Sequence, residues 1–189
     1  MAELLQAFGL SSPAGLNAYL ALLIAGLAAR VGMITFAEPY QYYLTNVWVL
    51  AVLAILLAIE ILVDKIPAVD HLNDSLSTFI RPVAGAILFA AADPQIVAGM
   101  HPVFSLLLGL VAAGSFHAMK VATRPVVNVT TGGVATPLVS LAEDIFAGTT
   151  VFLAIAMPVL AIIFLVLMLV LWAVTFLALR RLWQSLRST

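Results

Sequence analysis

Four carboxylates stand where carboxylates are expensive. Glu60 follows the apolar stretch Val47–Ile59 and precedes Ile61-Leu62-Val63, and Asp64 lies one turn further on. Residues four apart share a helix face, so Glu60 and Asp64 point the same way. Glu143 and Asp144 are adjacent, about 100° apart on a helix, with Ser140 one turn before Asp144. Ionisable groups at membrane depth face a bundle interior or water, and they bind ions or relay protons unless a fixed cation neutralises them. Glu60 and Glu143 are therefore read as proton- or cation-binding groups, joined by Asp144. Asp64 is read as a further ion-binding candidate or as a helix-end carboxylate paired to Lys65, Arg81 or Lys120, and Lys65, Arg81, Lys120 and Arg124 are read as a structural ion network. If Glu60 meets Glu143, two like charges would favour a bound proton between them.

His117 precedes Lys120 by three positions in an apolar run. It either relays protons or sits neutral, hydrogen-bonded to Ser115, a backbone carbonyl or Asn17. Three scattered histidines without HxxxH or HExxH spacing make a weak metal case, with a site assembled in space from Glu60, His117 and Glu143 left open, and no cofactor is expected. Asn17 follows the break signal Ser11-Ser12-Pro13. A broken helix exposes backbone groups that hold ions, and an Asn there also glues helices together. Thr130-Thr131-Gly132-Gly133 reads as a backbone anion nest or, more plainly, as a turn.

Those side chains need elements to carry them. Hydrophobic residues make up 64% of the 189-residue chain and charged residues only 9%. A soluble domain is about 45–50% apolar and about 25% charged, so an all-α polytopic membrane bundle is expected, in one domain over residues 1–189. Net charge is -1, which excludes a nucleic-acid surface, and the absence of cysteine excludes disulfides and thiolate chemistry. Met1 to Ala14 lacks the basic start and cleavage pattern of a signal peptide.

A crossing needs about 20 mostly apolar residues. The apolar runs place spans at Leu4–Ala29 (interrupted near Pro13), Asn46–Val63, Arg81 to Asp93, Pro102–Met119, Val134–Ala147 and Val151–Leu179. Tyr40, Tyr42 and Tyr43 suit an interface, and Val69–Phe79 reads as an interfacial helix. Val126–Thr136 reads as a loop. Counting Lys65, Arg81, Lys120, Arg124, Arg180, Arg181 and Arg187 as loop charges puts both termini in the cytoplasm after about six crossings. Small residues at helical spacing (Ala21-Ala25-Ala29, Ala54-Ala58, Ala86-Ala90, Gly109-Ala113, Gly114-Ala118) predict close helix packing, within the bundle or between two copies of a homodimer. Gly9-Leu10 and Asn17-Ala18 are echoed by Gly109-Leu110 and His117-Ala118, which suggests two inverted three-helix repeats, 1–93 and 101–179.

Several strings in this order resemble one bacterial integral-membrane family. They are Gly15-Leu16-Asn17-Ala18, Glu60-Ile61-Leu62-Val63-Asp64-Lys65-Ile66-Pro67-Ala68-Val69-Asp70, Thr78-Phe79-Ile80-Arg81-Pro82-Val83-Ala84-Gly85-Ala86, the Gly114/His117/Lys120 stretch and Ser140-Leu141-Ala142-Glu143-Asp144. The family is the one catalogued as domain of unknown function 4126. The resemblance runs from about Gly9 to Ala147 and implies a compact helical membrane fold. It carries no activity.

Three functions stay open: a small transporter or channel linked to protons or cations, a structural or assembly protein without a substrate, and an intramembrane enzyme. The last lacks a Gly-x-Ser-x-Gly elbow, a cysteine or an HExxH pair. Expected partners are the lipid bilayer of a bacterial inner membrane, a second copy of the chain and an unidentified ion or small molecule.

Overall fold

A computed structural model describes the backbone of residues 2–64, 67–92, 99 and 101–187, and the side chains of these except 67–75 and 175–187. Among the described residues the chain is helical without strands. The expected break in the first apolar run is present. Helix α1 (Ala2–Ser11) ends in a 3₁₀ turn (Ser12–Gly15), and α2 (Ala18–Arg30) restarts the chain. Pro13 lies inside the turn, where its missing N–H costs nothing. Asn17 is extended (φ -144, ψ 104) and caps α2 by accepting from the Leu20 N–H, at 2.9 Å. A short helix α3 (Tyr40–Leu44) precedes α4 (Val47–Val63), which Asn46 caps.

Three expected boundaries moved. The interfacial helix and the third span are one helix, α5 (Pro67–Ala91), with Pro82 in its interior. The fourth span does not stop at Lys120 and Arg124. Helix α6 (Pro102–Thr131) runs on through Pro125. Each proline removes one backbone bond, a loss that neighbouring helices absorb at these depths. The Thr-Thr-Gly-Gly segment is the end of α6. Gly132 takes φ 60 and Gly133 φ 82, and both donate their N–H to the Asn128 carbonyl. With those N–H groups used, the segment is a C-cap and no anion nest. Finally, Val134–Ala147 and the long apolar run divide elsewhere, into α7 (Thr136–Ala156) and α8 (Pro158–Arg187). Pro158 drives Met157 out of the helical region (φ -148, ψ 76), which splits them.

Helices α6 and α7 are long and apolar enough to cross a membrane; α2, α4, Leu76–Ala91 of α5 and Pro158–Val174 of α8 are shorter apolar helices. Small residues let the helices close up. Ala21, Ala25 and Ala29 are buried, as are Ala86, Ala90 and Ala113. A Cβ at Gly85 would collide with the Ala113 side chain, and one at Gly109 with the Gly85 carbonyl, so α5 and α6 touch through their backbones. Ala54, Ala58 and Ala118 instead face outward. The echo at offset 100 joins unlike local structures: Asn17 caps a helix after a break, while His117 lies within unbroken α6.

Two apolar clusters form. The larger gathers α1, α2, α5 and α6 around Leu10, Leu88 and Phe89, with Phe8 edge-on to Phe89 at 5.0 Å. The smaller holds Leu16, Phe116, Met119, Phe146, Ala147 and Leu165, with Phe146 stacked on Phe164 at 4.7 Å. Leu16, Phe116 and Phe146 each adjoin, or lie within three residues of, a polar residue named above. They wall one side of the site.

Candidate functional site: a buried ionic network at the helix break

Four helices send charged side chains to one place. Helix α4 brings Glu60 and Asp64, α5 brings Arg81, α6 brings His117, Lys120 and Arg124, and α7 brings Ser140, Glu143 and Asp144. The spacing accounts for the convergence. On α6 the buried positions Ala113, His117, Lys120 and Arg124 recur every three or four residues, so they lie along one stripe. On α7 Ser140, Glu143 and Ala147 do the same.

Asp64 is the hub. Its Oδ2 lies 2.9 Å from Lys120 Nζ, 3.1 Å from Arg124 Nη2 and 4.0 Å from Arg81 Nη2, and it accepts from Ser140 Oγ at 3.5 Å. It was expected at the boundary, yet it is 1% exposed. A charge three cations surround can sit out of water because its attractions are strongest there. Glu143 Oε2 pairs with Lys120 Nζ at 3.2 Å and Arg124 Nη2 at 3.0 Å. Glu60 Oε1 accepts from Arg81 Nη2 at 2.9 Å, with both side chains buried. Its other oxygen, Oε2, is buried and has no hydrogen-bond partner among the described residues. Glu60 and Glu143 thus belong to one network, each held by its own cations.

The break supplies the remaining contacts. The 3₁₀ turn leaves the Leu16 carbonyl outside the helical ladder, and Lys120 Nζ donates to it at 3.0 Å. The ammonium thus donates to this carbonyl and to Asp64, and is ion-paired with Glu143 as well. The Asn17 amide donates to Asp144 Oδ1 at 2.8 Å. Asp144 and Glu143 both face the network, although they are adjacent.

His117 is hydrogen-bonded as a neutral ring, but to other partners than Ser115 or Asn17. Its Nδ1 is 3.2 Å from Arg81 Nη1 and its Nε2 is 3.1 Å from Thr78 Oγ1. A guanidinium only donates, so Nδ1 accepts and Nε2 carries the proton. Ser115 is exposed and bonds its own helix at Val111. Among the described residues no cluster suits a metal ion.

Lys65 and Asp93, and the side chains of His71, Arg180, Arg181, Trp183 and Arg187, lie outside the described residues. The topology count changes in kind, because Arg81, Lys120 and Arg124 are 0–3% exposed inside the bundle. They are network cations and no longer count as loop charges. Thr78, the Leu16 carbonyl and Tyr19 escaped sequence reasoning. Thr78 stands three positions before Arg81 on one continuous helix, and that spacing was the available signal.

A family model described as Domain of unknown function (DUF4126) matches residues 4–178. The chain belongs to that family. The match is wider than the quoted strings and takes in every DUF4126 residue of the network above. No curated protein and no solved structure matches this DUF4126 chain.

Proposed function

We propose that the chain is a small multi-pass transporter of the bacterial cytoplasmic membrane, coupled to a proton or a monovalent cation at Glu60. Its six crossings would be the broken α1–α2 unit, α4, α5, α6, α7 and α8, with both termini on the cytoplasmic side. The observation that carries this reading is the buried, unpartnered Oε2 of Glu60 inside a cation-rich network beside a broken helix. A buried acceptor without a donor is costly, and a proton or cation removes the cost. Broken helices whose freed backbone groups meet such side chains are a recurring construction of transporters.

One observation favours a second reading, a structural membrane protein with no cargo. Glu60 is held directly by Arg81 at 2.9 Å in a closely packed interior. The same experiment separates the two. Proteoliposomes loaded with a pH dye are given a potassium diffusion potential or an external Na⁺ or K⁺ pulse. Transport predicts a pH change that Glu60→Gln abolishes while leaving the fold intact. Absent flux in the wild type, together with a lowered melting temperature in Glu60→Gln, selects the structural reading. A homodimer accords with outward-facing Ala54 and Ala58 on α4, and light scattering in detergent tests it.

A further inference from the structure

His117 joins Thr78, an exposed residue, to the buried pair. Thr78 is exposed, at the start of the apolar stretch Leu76–Ala91, where the chain meets the polar segment before it. Its Oγ1 is 3.1 Å from His117 Nε2, and His117 is 5% exposed. On the inner side, His117 Nδ1 and Glu60 Oε1 bind the two terminal nitrogens of the same Arg81 guanidinium, at 3.2 and 2.9 Å. The one oxygen of Glu60 that lacks a donor therefore belongs to the residue that shares a cation with the histidine.

We propose that His117, reached through Thr78, is the port by which the buried Glu60 carboxyl exchanges its proton with water. This rests on Glu60 being the proton site of the proposed transporter. It adds the identity of the ion, a proton, and its route. In the tautomer that the Arg81 contact requires, the Nδ1 lone pair faces Arg81 and the Nε2 proton faces Thr78. Asp64 Oδ2 is 4.0 Å from Arg81 Nη2 and offers the guanidinium a second acceptor. As Arg81 shifts toward Asp64, a proton leaving Glu60 Oε2 adds to the Nδ1 lone pair. The imidazolium sheds its Nε2 proton to the Thr78 hydroxyl and the water beyond it. The ring is left neutral with its proton on Nδ1, and the carboxylate is left ionised beside Arg81. Entry is the same sequence reversed.

The charged and titratable surroundings suit the exchange. Arg81 of α5 contacts the ring at Nδ1, and Lys120 lies three positions on along the histidine's own helix. Glu60 and Asp64 of α4 act on it through Arg81, and Glu143 of α7 through Lys120. Tyr19 of α2 lies within electrostatic reach of Glu60 and Arg81.

The test is infrared difference spectroscopy on the full chain in detergent after a jump from about pH 8 to about pH 5. The carboxylic-acid band lost in Glu60→Gln reports that residue's proton. His117→Gln and Thr78→Val should slow the rise of this band on the order of 10²-fold at unchanged amplitude, and Thr78→Ser should restore the rate. Thr78→Val alters an exposed position, so it decides the matter even if His117→Gln fails to fold. A wild-type rate in either folded variant, or no band lost in Glu60→Gln, overturns the port. Flux abolished by Glu60→Gln but untouched by His117→Gln overturns the port and leaves transport standing. A slowed band in a protein without flux overturns transport and leaves the port standing.

Discussion

Replacing Lys120 by Met tests whether the network holds the bundle together. The ammonium touches Asp64 Oδ2 at 2.9 Å, Glu143 Oε2 at 3.2 Å and the Leu16 carbonyl at 3.0 Å. Met keeps most of the stem's packing and deletes the charge. Breaking a buried ion pair by removing one partner costs about 3–5 kcal/mol. The low end applies, because Arg124 Nη2 remains 3.1 and 3.0 Å from the same two oxygens. Leaving the Leu16 carbonyl without its donor adds about 1 kcal/mol. The sum, about 4 kcal/mol, corresponds to a melting shift of about 8–16 °C for a chain of this size. The assay is thermal unfolding in detergent, followed by the loss of helical circular dichroism. Arg30→Met is the control. Arg30 is exposed and donates only to the Thr45 carbonyl, so its loss should cost about 1 kcal/mol or less. Lys120→Met/Asp64→Asn removes one stranded charge as well and should recover part of the loss. A Lys120→Met protein that melts with the Arg30→Met control refutes the reasoning, as does a double variant whose losses simply add.

Two further outcomes follow from the break. Asn17→Ala loses a helix cap worth about 1 kcal/mol and a hydrogen bond to a carboxylate worth about 1.5–3 kcal/mol. Asn17→Asp keeps the cap but sets a second carboxylate against Asp144, so it should melt lower than Asn17→Ser; the reverse order would show that the Asp144 contact contributes nothing. A Cβ at Gly15 would collide with the Ala113 carbonyl, whereas one at Gly114 meets only the Pro82 ring at 3.9 Å. Gly15→Ala should cost about 1–3 kcal/mol or more, and Gly114→Ala should gain up to about 1 kcal/mol from helix propensity. Equal melting temperatures for the two would mean that the turn is not packed against α6.

The elements were legible wherever a local signal decided them. The cap that Asn17 makes was not read from its neighbours, whereas the break at Pro13 follows from neighbours within a few residues. Pro82 and Pro125 misled for the same reason. Beside Arg81 and Arg124 they look like helix ends, and only the neighbouring helices make an interior proline affordable. Asp64 shows the larger gap. Its partners are 56, 60 and 76 positions away in sequence, and nothing near it reports them. The stripe of Ala113, His117, Lys120 and Arg124 was visible as a spacing. Two of its members were read as structural cations but also counted as loop charges, because lysine and arginine near a span's end usually are.

Break and network depend on each other. A continuous helix through residues 12–17 would return the Leu16 carbonyl to the helical ladder and take from Lys120 its one uncharged acceptor. It would also take Asn17 out of the extended conformation that caps α2 and lets its amide reach Asp144. Conversely, a change of charge at Asp144, Glu143 or Asp64 alters the forces on the two groups that hold the break. The smaller apolar cluster limits where the strain can go, since Leu16, Phe116 and Phe146 are packed together immediately beside those groups. Close-packed side chains give way between discrete arrangements and do not stretch. In the proposed transporter a proton gained or lost in this network would therefore act first on the angle between α1 and α2. A transporter needs that link between ion binding and helix geometry. A strut would not, and here the break is tied to a network cation on α6, Lys120, and to a carboxylate on α7, Asp144.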